Sequence, residues 1–140
     1  MRYVAFVGRV FYALIFVILG LGHFSPQTIA YAASQGVPLA TVAVPFSGVL
    51  AVAGGLSVLV GYRARLGAWL LVLFLVPVTV MMHAFWAAQD PMAAMMQLSN
   101  FLKNVSMIGG ALVIGYFGAG PLSLDARMSA TATRSPAVAA

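Results

Sequence analysis

The sequence contains no cysteine and very little charge. Without cysteine, the chain by itself forms no disulfide, no thiolate zinc site and no iron–sulfur cluster. Only 6% of its 140 residues are charged and just two are acidic, whereas 63% are hydrophobic. A soluble domain has a far more charged exterior, because about a quarter of the residues in an average soluble protein are charged. The composition therefore predicts a protein that lives in the lipid bilayer.

The net charge is +5 and the isoelectric point is near 10.3, values that in a soluble protein would suggest binding to nucleic acid. Here the basic residues flank apolar runs and do not cluster on one polar surface. We therefore expect no nucleic-acid partner and interpret the basic residues as markers of membrane topology.

Four apolar runs each approach the roughly 20 residues that a helix needs to cross a hydrocarbon core of about 30 Å. We predict an all-α membrane protein with a four-transmembrane-helix bundle in residues 1–118. The tail, residues 119–140, is rich in alanine, serine and threonine and lacks periodicity, so we expect it to be cytoplasmic and largely disordered. The predicted spans are residues 4–24, 42–61, 66–86 and 98–117.

Three segments carry basic residues near the membrane, and the other two loops carry none. Because lysine and arginine favour the cytoplasmic side, four spans place all three segments there together with both termini. The prediction is a multi-pass protein of the bacterial inner membrane. The first run also resembles a signal peptide, but it exceeds the usual apolar length of about 7 to 15 residues. The basic residues concerned are Arg2 and Arg9, Arg63 and Arg65, and Arg127 and Arg134.

Small residues recur at four-residue spacing in the second span, as Ser47, Ala51 and Gly55 and as Ala53, Ser57 and Gly61. Such ridges let helices approach closely in lipid, so we interpret them as packing surfaces.

Ionisable side chains lie at similar depth near the non-cytoplasmic side. At 1.5 Å per residue, His23 lies about 21 Å from Arg9, and His83 lies about 27 Å from Arg65. Lys103 lies about 20 Å from Tyr116 by the same measure. All three are predicted in the outer third of the bundle.

Helical spacing extends this group, because it places Trp86 on the face of His83 and Asn104 on the face of Lys103. A lysine inside a span is costly and usually functional, although it can also reach outwards and only anchor the helix. His83 can equally be an interfacial residue, and His23 a helix cap. A haem between the two histidines is disfavoured because no attachment motif is present. The candidate ligand-binding residues are His83, Lys103, Asn104, Trp86 and His23; no metal site is predicted and no catalytic residue is assigned.

Short motifs such as His83-Ala-Phe-Trp86 and Phe101-Leu-Lys103-Asn104 follow one another along the chain. Their order and spacing resemble the DoxX family of small four-span bacterial membrane proteins. The resemblance implies a four-helix bundle associated with membrane redox processes, including subunits of thiosulfate:quinone oxidoreductase. A glutamate common in that family is replaced here by Ala51, which argues against a mechanism needing an intramembrane carboxylate. The motifs are Gly20-Leu-Gly-His23-Phe24, Gly36-Val-Pro38, Gly54-Gly55 with Arg63 and Arg65, His83-Ala-Phe-Trp86, Phe101-Leu-Lys103-Asn104 and Gly118-Ala-Gly-Pro-Leu-Ser-Leu-Asp125.

The leading hypothesis is a subunit or accessory of a quinone-linked redox system, associated with other membrane protein subunits. His83 and Lys103 would hydrogen-bond a quinone-type head group in a shared pocket, while Asn104 and Trp86 would orient it. No cofactor is evident apart from a quinone, so electrons would come from a carrier elsewhere. The alternative is a structural subunit that binds no ligand. A small-solute carrier ranks lower, because no paired broken helices appear.

Overall fold

The computed structural model describes residues 2–134, with side chains over residues 3–131. The described residues form α-helices and short 3₁₀ turns without any strand. Four of the helices, α1, α3, α4 and α5, are long and apolar enough to cross a membrane, which confirms the predicted all-α, four-span class. The orientation of the termini stays a prediction. The helices are α1 (Arg2–Gly20), α2 (Pro26–Ser34), α3 (Ala40–Val60), α4 (Ala64–Met82), α5 (Pro91–Phe117) and α6 (Leu124–Arg134), with 3₁₀ turns at Leu21–Phe24 and Phe85–Ala87.

The four long helices pack in the order α1, α3, α4, α5. The two outer helices of this row are joined by Tyr12 of α1, whose hydroxyl donates to the Met107 carbonyl of α5 at 2.7 Å. The same tyrosine ring covers Gly110. The row therefore closes into a bundle, and we call the line of Tyr12, Met107 and Gly110 the α1–α5 seam.

Glycines allow the close approach of α3 to both of its neighbours. A Cβ at Gly55 would lie 3.0 Å from the Phe16 Cβ of α1, and a Cβ at Gly54 would lie 2.9 Å from the Gly67 carbonyl of α4. The close packing predicted at Gly55 is thus confirmed. The second predicted ridge consists of Ala53, Ser57 and Gly61. Because Ala53 is exposed, this ridge does not face a neighbouring helix along its whole length.

Two helix starts follow from local sequence. The Asp90 carboxylate accepts from the Ala93 N–H at 2.7 Å and Pro91 takes the first helical position of α5, an arrangement typical of an Asp-Pro pair at a helix start. The connection between α1 and α3 contains α2, whose first turn is capped by the Ser25 hydroxyl accepting from the Thr28 N–H at 3.3 Å. We call the end of the bundle that carries α2 the α2 end, and the opposite end the α6 end.

The candidate span Ala64–Ala87 contains the third predicted span, but its regular α-helix, α4, ends at Met82, before His83 and Trp86. The chain leaves the helix there so that Phe85 and Trp86 can pack edge-on against Phe101 of α5, with ring centroids 5.4 and 6.0 Å apart. The helical face predicted to hold both His83 and Trp86 is therefore wrong.

The segment after Gly118 also differs from its prediction. Where the sequence suggested a largely disordered tail from residue 119, the structure has α6 at Leu124–Arg134. Ala119 and Ser123 are buried against the rest of the protein, which gives this segment a fixed place. The part of the predicted tail over residues 135–140 lies outside the described residues.

Candidate functional site

A cavity of about 310 Å³ lies at the α2 end, between α2, α3 and α4. Its volume is at the lower end of the range for ligand pockets, about 300 to 1,000 Å³. Three lining side chains, Phe46, Leu73 and Met81, are exposed on the outside of the bundle. The cavity therefore opens sideways, towards the position of lipid chains in a membrane.

Of the five candidate residues, His23 is the one that lines this cavity. Its ring packs edge-on against Phe74, with centroids 5.5 Å apart, and its Nδ1 lies 3.2 Å from the Leu19 carbonyl oxygen. Because a carbonyl oxygen can only accept, Nδ1 carries the hydrogen of this bond. In the neutral ring this leaves Nε2 as a hydrogen-bond acceptor.

His83 lies at the same end of the bundle but has a different environment. Its Nδ1 is 2.9 Å from the Gln97 side-chain oxygen of α5, so this bond ties the end of α4 to α5. Gln97 was missed by the sequence reasoning, although it stands in the polar first part of the last apolar run. Trp86 is exposed, and its ring packs edge-on against the rings of Phe85 and Phe101.

Lys103 projects to the outside of the bundle, where its Nζ donates to the Asn100 side-chain oxygen at 3.0 Å. Asn104 next to it is buried, and within the described residues its amide makes no hydrogen bond. Gln97 and Lys103 are six residues apart on α5, about 9 Å along the helix axis. The structure thus gives His83 and Lys103 separate hydrogen-bond partners, Gln97 and Asn100, and a pocket shared by the two stays a prediction.

Arg9 is buried at the α6 end, although the sequence reasoning counted it only as a topology marker. Its guanidinium donates to the Ala119 carbonyl and, at 3.0 Å, to the Leu122 carbonyl. These bonds fix the segment that follows α5 against α1.

Asp125 completes this contact and was also missed. Its carboxylate accepts from the Arg63 N–H at 2.7 Å and the Ala64 N–H at 3.0 Å, which caps the first turn of α4. Its own N–H donates to the Gly61 carbonyl at 2.8 Å. The sequence contained a signal for this role, because the chain has two acidic residues and each carboxylate needs a hydrogen-bonding partner. These bonds hold the α6 end together, and an open pocket of about 700 Å³ lies beside them, lined by Arg63, Arg65 and Asp125. The cavity at the α2 end is smaller and contains the candidate residue His23.

In the part of the chain that the structure describes, no group of three histidine, aspartate or glutamate side chains is placed to hold a metal ion. The chemistry that the α2 end offers is hydrogen bonding and apolar contact.

Comparison with known proteins gives a family match and a similar inner membrane protein. The model of the SURF4 family matches residues 1–129. The chain is 30% identical over 123 residues to the inner membrane protein YphA of Escherichia coli strain K12, a match that covers 86% of this chain and 87% of YphA. No solved structure matches the chain.

These matches correct one prediction and confirm another. The resemblance to the DoxX family is wrong, because the matching family model is that of SURF4 and neither match shows DoxX. The redox association implied by that resemblance loses its support with it. The predicted location in the inner membrane is confirmed by the similarity to YphA and by the four helices able to span a membrane. With residues 1–129 matched, this four-span membrane protein belongs to the SURF4 family.

Proposed function

We propose that the protein is a non-catalytic subunit of a larger inner-membrane assembly and that α5 binds a transmembrane helix of another protein. The observation that carries the proposal is the exposed Lys103 within the span of α5, which has no acidic partner in its own chain.

Both acidic residues of the sequence are already engaged. Asp90 caps the first turn of α5, and Asp125 caps α4 at the opposite end of the bundle. A second copy of the chain would bring the same two capping carboxylates and no acidic residue within a span. A carboxylate for Lys103 must therefore come from a different protein.

The position of Lys103 makes such a partner favourable. It lies 12 residues after Pro91, about 18 Å along the 27-residue α5. A lysine at the centre of a span costs about 2.5 to 3.5 kcal/mol on insertion scales, and the neutral Asn100 amide does not neutralise its charge. A carboxylate on a neighbouring helix would pair with the ammonium and lower this cost.

The seam between α1 and α5 indicates where the partner helix lies. Lys103 and Gly110 are seven residues apart and share a face of α5. Gly110 faces Tyr12 of α1, so Lys103 lies beside the α1–α5 seam. On this side of the bundle α1 and α5 are joined by the Tyr12 side chain, and Lys103 is exposed next to it.

The quinone-linked role is not part of this proposal. It relied on a pocket shared by His83 and Lys103, whereas His83 is bonded to Gln97 and Lys103 to Asn100.

The test compares Lys103→Met with Leu102→Met, a neighbouring exposed position. Both variants are expressed in the native membrane, extracted in mild detergent and measured by native mass spectrometry. We expect the wild type and Leu102→Met to retain a partner whose transmembrane helix carries an acidic residue, and Lys103→Met to lose it. Exchange of the charges, with Lys103→Asp in this chain and lysine at the partner's acidic position, should restore the complex. An unchanged mass for Lys103→Met would contradict the proposal and leave Lys103 as a membrane anchor.

A further inference from the structure

The cavity at the α2 end is separate from the α1–α5 seam and has its own chemistry. We propose that it binds a lipid-soluble amphiphile whose head group carries a hydroxyl, such as an alkylphenol or a long-chain alcohol. The inference goes beyond partner binding, because Lys103 and Asn100 do not line this cavity.

The polar groups around the cavity have acceptor capacity to spare. His23 uses Nδ1 to donate to Leu19, so Nε2 of the neutral ring accepts. The Ser47 hydroxyl donates to the Val44 carbonyl at 2.7 Å, so only its oxygen is left to bond a ligand. The Thr28 hydroxyl is engaged with the Ser25 hydroxyl at 2.8 Å. A ligand that matches His23 and Ser47 therefore brings a hydrogen-bond donor.

Pro77 adds a further acceptor. Proline has no N–H, so the Leu73 carbonyl four residues earlier lacks its usual helical donor. Pro77 and Leu73 both line the cavity. Because Pro77 cannot donate to it, this carbonyl keeps acceptor capacity that a hydroxyl from the ligand could use.

The remaining lining explains why the ligand is an amphiphile. Side chains such as Val44, Phe74 and Met82 form apolar walls, and the exposed Phe46 and Met81 mark an opening on the lipid-facing surface. A volume of about 310 Å³ holds roughly ten non-hydrogen atoms, if each occupies about the 30 Å³ of a water molecule in the liquid. A ring-sized head group fits inside, and its alkyl tail extends between the helices into lipid.

The test uses full-length protein in dodecyl maltoside micelles and two matched probes, 4-octylphenol and 4-octylanisole. The probes differ chiefly in whether the head-group oxygen carries a hydrogen. In calorimetric titrations we expect the phenol to bind the wild type about tenfold more tightly than the anisole, as one additional hydrogen bond would give. Equal affinities of the wild type for the two probes would overturn the proposal.

Two variants test whether His23 causes the preference for the phenol over the anisole. His23→Phe keeps a ring against Phe74 and removes the acceptor, so the ratio of the two affinities should fall to below about threefold. His83→Phe changes a histidine outside the cavity and should keep the wild-type ratio. A phenol preference that persists in His23→Phe would refute the role of Nε2. The comparison of the probes on the wild type decides the ligand class even if a variant does not fold.

Discussion

The contact of Asp125 with the start of α4 leads to a sharp prediction about stability. Replacement of Asp125 by alanine removes both oxygens that accept from the Arg63 and Ala64 N–H groups. These donors have no partner within α4, since the first N–H groups of a helix lie before its hydrogen-bonding ladder. The substitution also removes the side-chain link between the first turn of α6 and the connection between α3 and α4, while the backbone bond from residue 125 to the Gly61 carbonyl remains.

The size of the effect follows from the number and exposure of these bonds. Loss of a helix cap costs about 0.5 to 2 kcal/mol, and hydrogen bonds to charged groups are worth about 1.5 to 3 kcal/mol. The bond from Arg63 is exposed to solvent, which reduces its contribution. We therefore expect Asp125→Ala to lower the free energy of unfolding by about 2 kcal/mol. Asp125→Asn keeps one acceptor oxygen, so its loss should be about 1 kcal/mol.

The assay is equilibrium unfolding in mixed micelles with increasing sodium dodecyl sulfate, followed by the fluorescence of the two tryptophans. Asp90→Ala is the matched control, because Asp90 caps α5 through a single N–H, that of Ala93. It should cost about 1 kcal/mol. A loss in Asp125→Ala no larger than in Asp90→Ala would refute the reasoning that this carboxylate holds two parts of the chain together.

Three further predictions test topology and packing. A phosphatase reporter fused after Ala140 should be inactive, because the basic segments place the C-terminus in the cytoplasm; periplasmic activity would contradict the assigned orientation. Gly54→Leu should lower the melting temperature in detergent more than Gly109→Leu, because a Cβ at Gly54 collides with α4 whereas Gly109 faces open space, and equal melting would argue against this packing. Tyr12→Phe should cost about 0.6 to 1 kcal/mol by loss of the bond to Met107, and unchanged unfolding would show that the hydroxyl does not close the bundle.

The number of spans and the start of α5 could be predicted because they depend on local patterns. An apolar run of about 20 residues must be helical in lipid, since no water satisfies its backbone there. The pair Asp90-Pro91 signals a helix start by its own chemistry, and the structure has α5 start there. The four-residue spacing of small residues is also a local pattern, and it predicted the close approach of helices at Gly55.

The candidate site could be predicted only in part, because helix rotation and helix ends are not local properties. Depth along an axis follows from a rise of 1.5 Å per residue, and it correctly brought His23 and His83 to one end of the bundle. Whether a side chain at that depth faces the interior depends on which helices are neighbours. Lys103 faces outwards because α5 packs against α4 on another side, and the helical face of His83 and Trp86 is lost because α4 ends at Met82.

The sequence by itself determined the class of protein, since nearly two thirds of its residues are hydrophobic and only 6% are charged. Only the tertiary structure decided how the few polar residues are used. Arg9 and Asp125 stand 116 residues apart in the sequence, yet both hold the segment after α5 in place. His23 lines a cavity because α2, α3 and α4 meet beside it. Such roles arise from contacts between distant segments, and no periodicity within one helix encodes them.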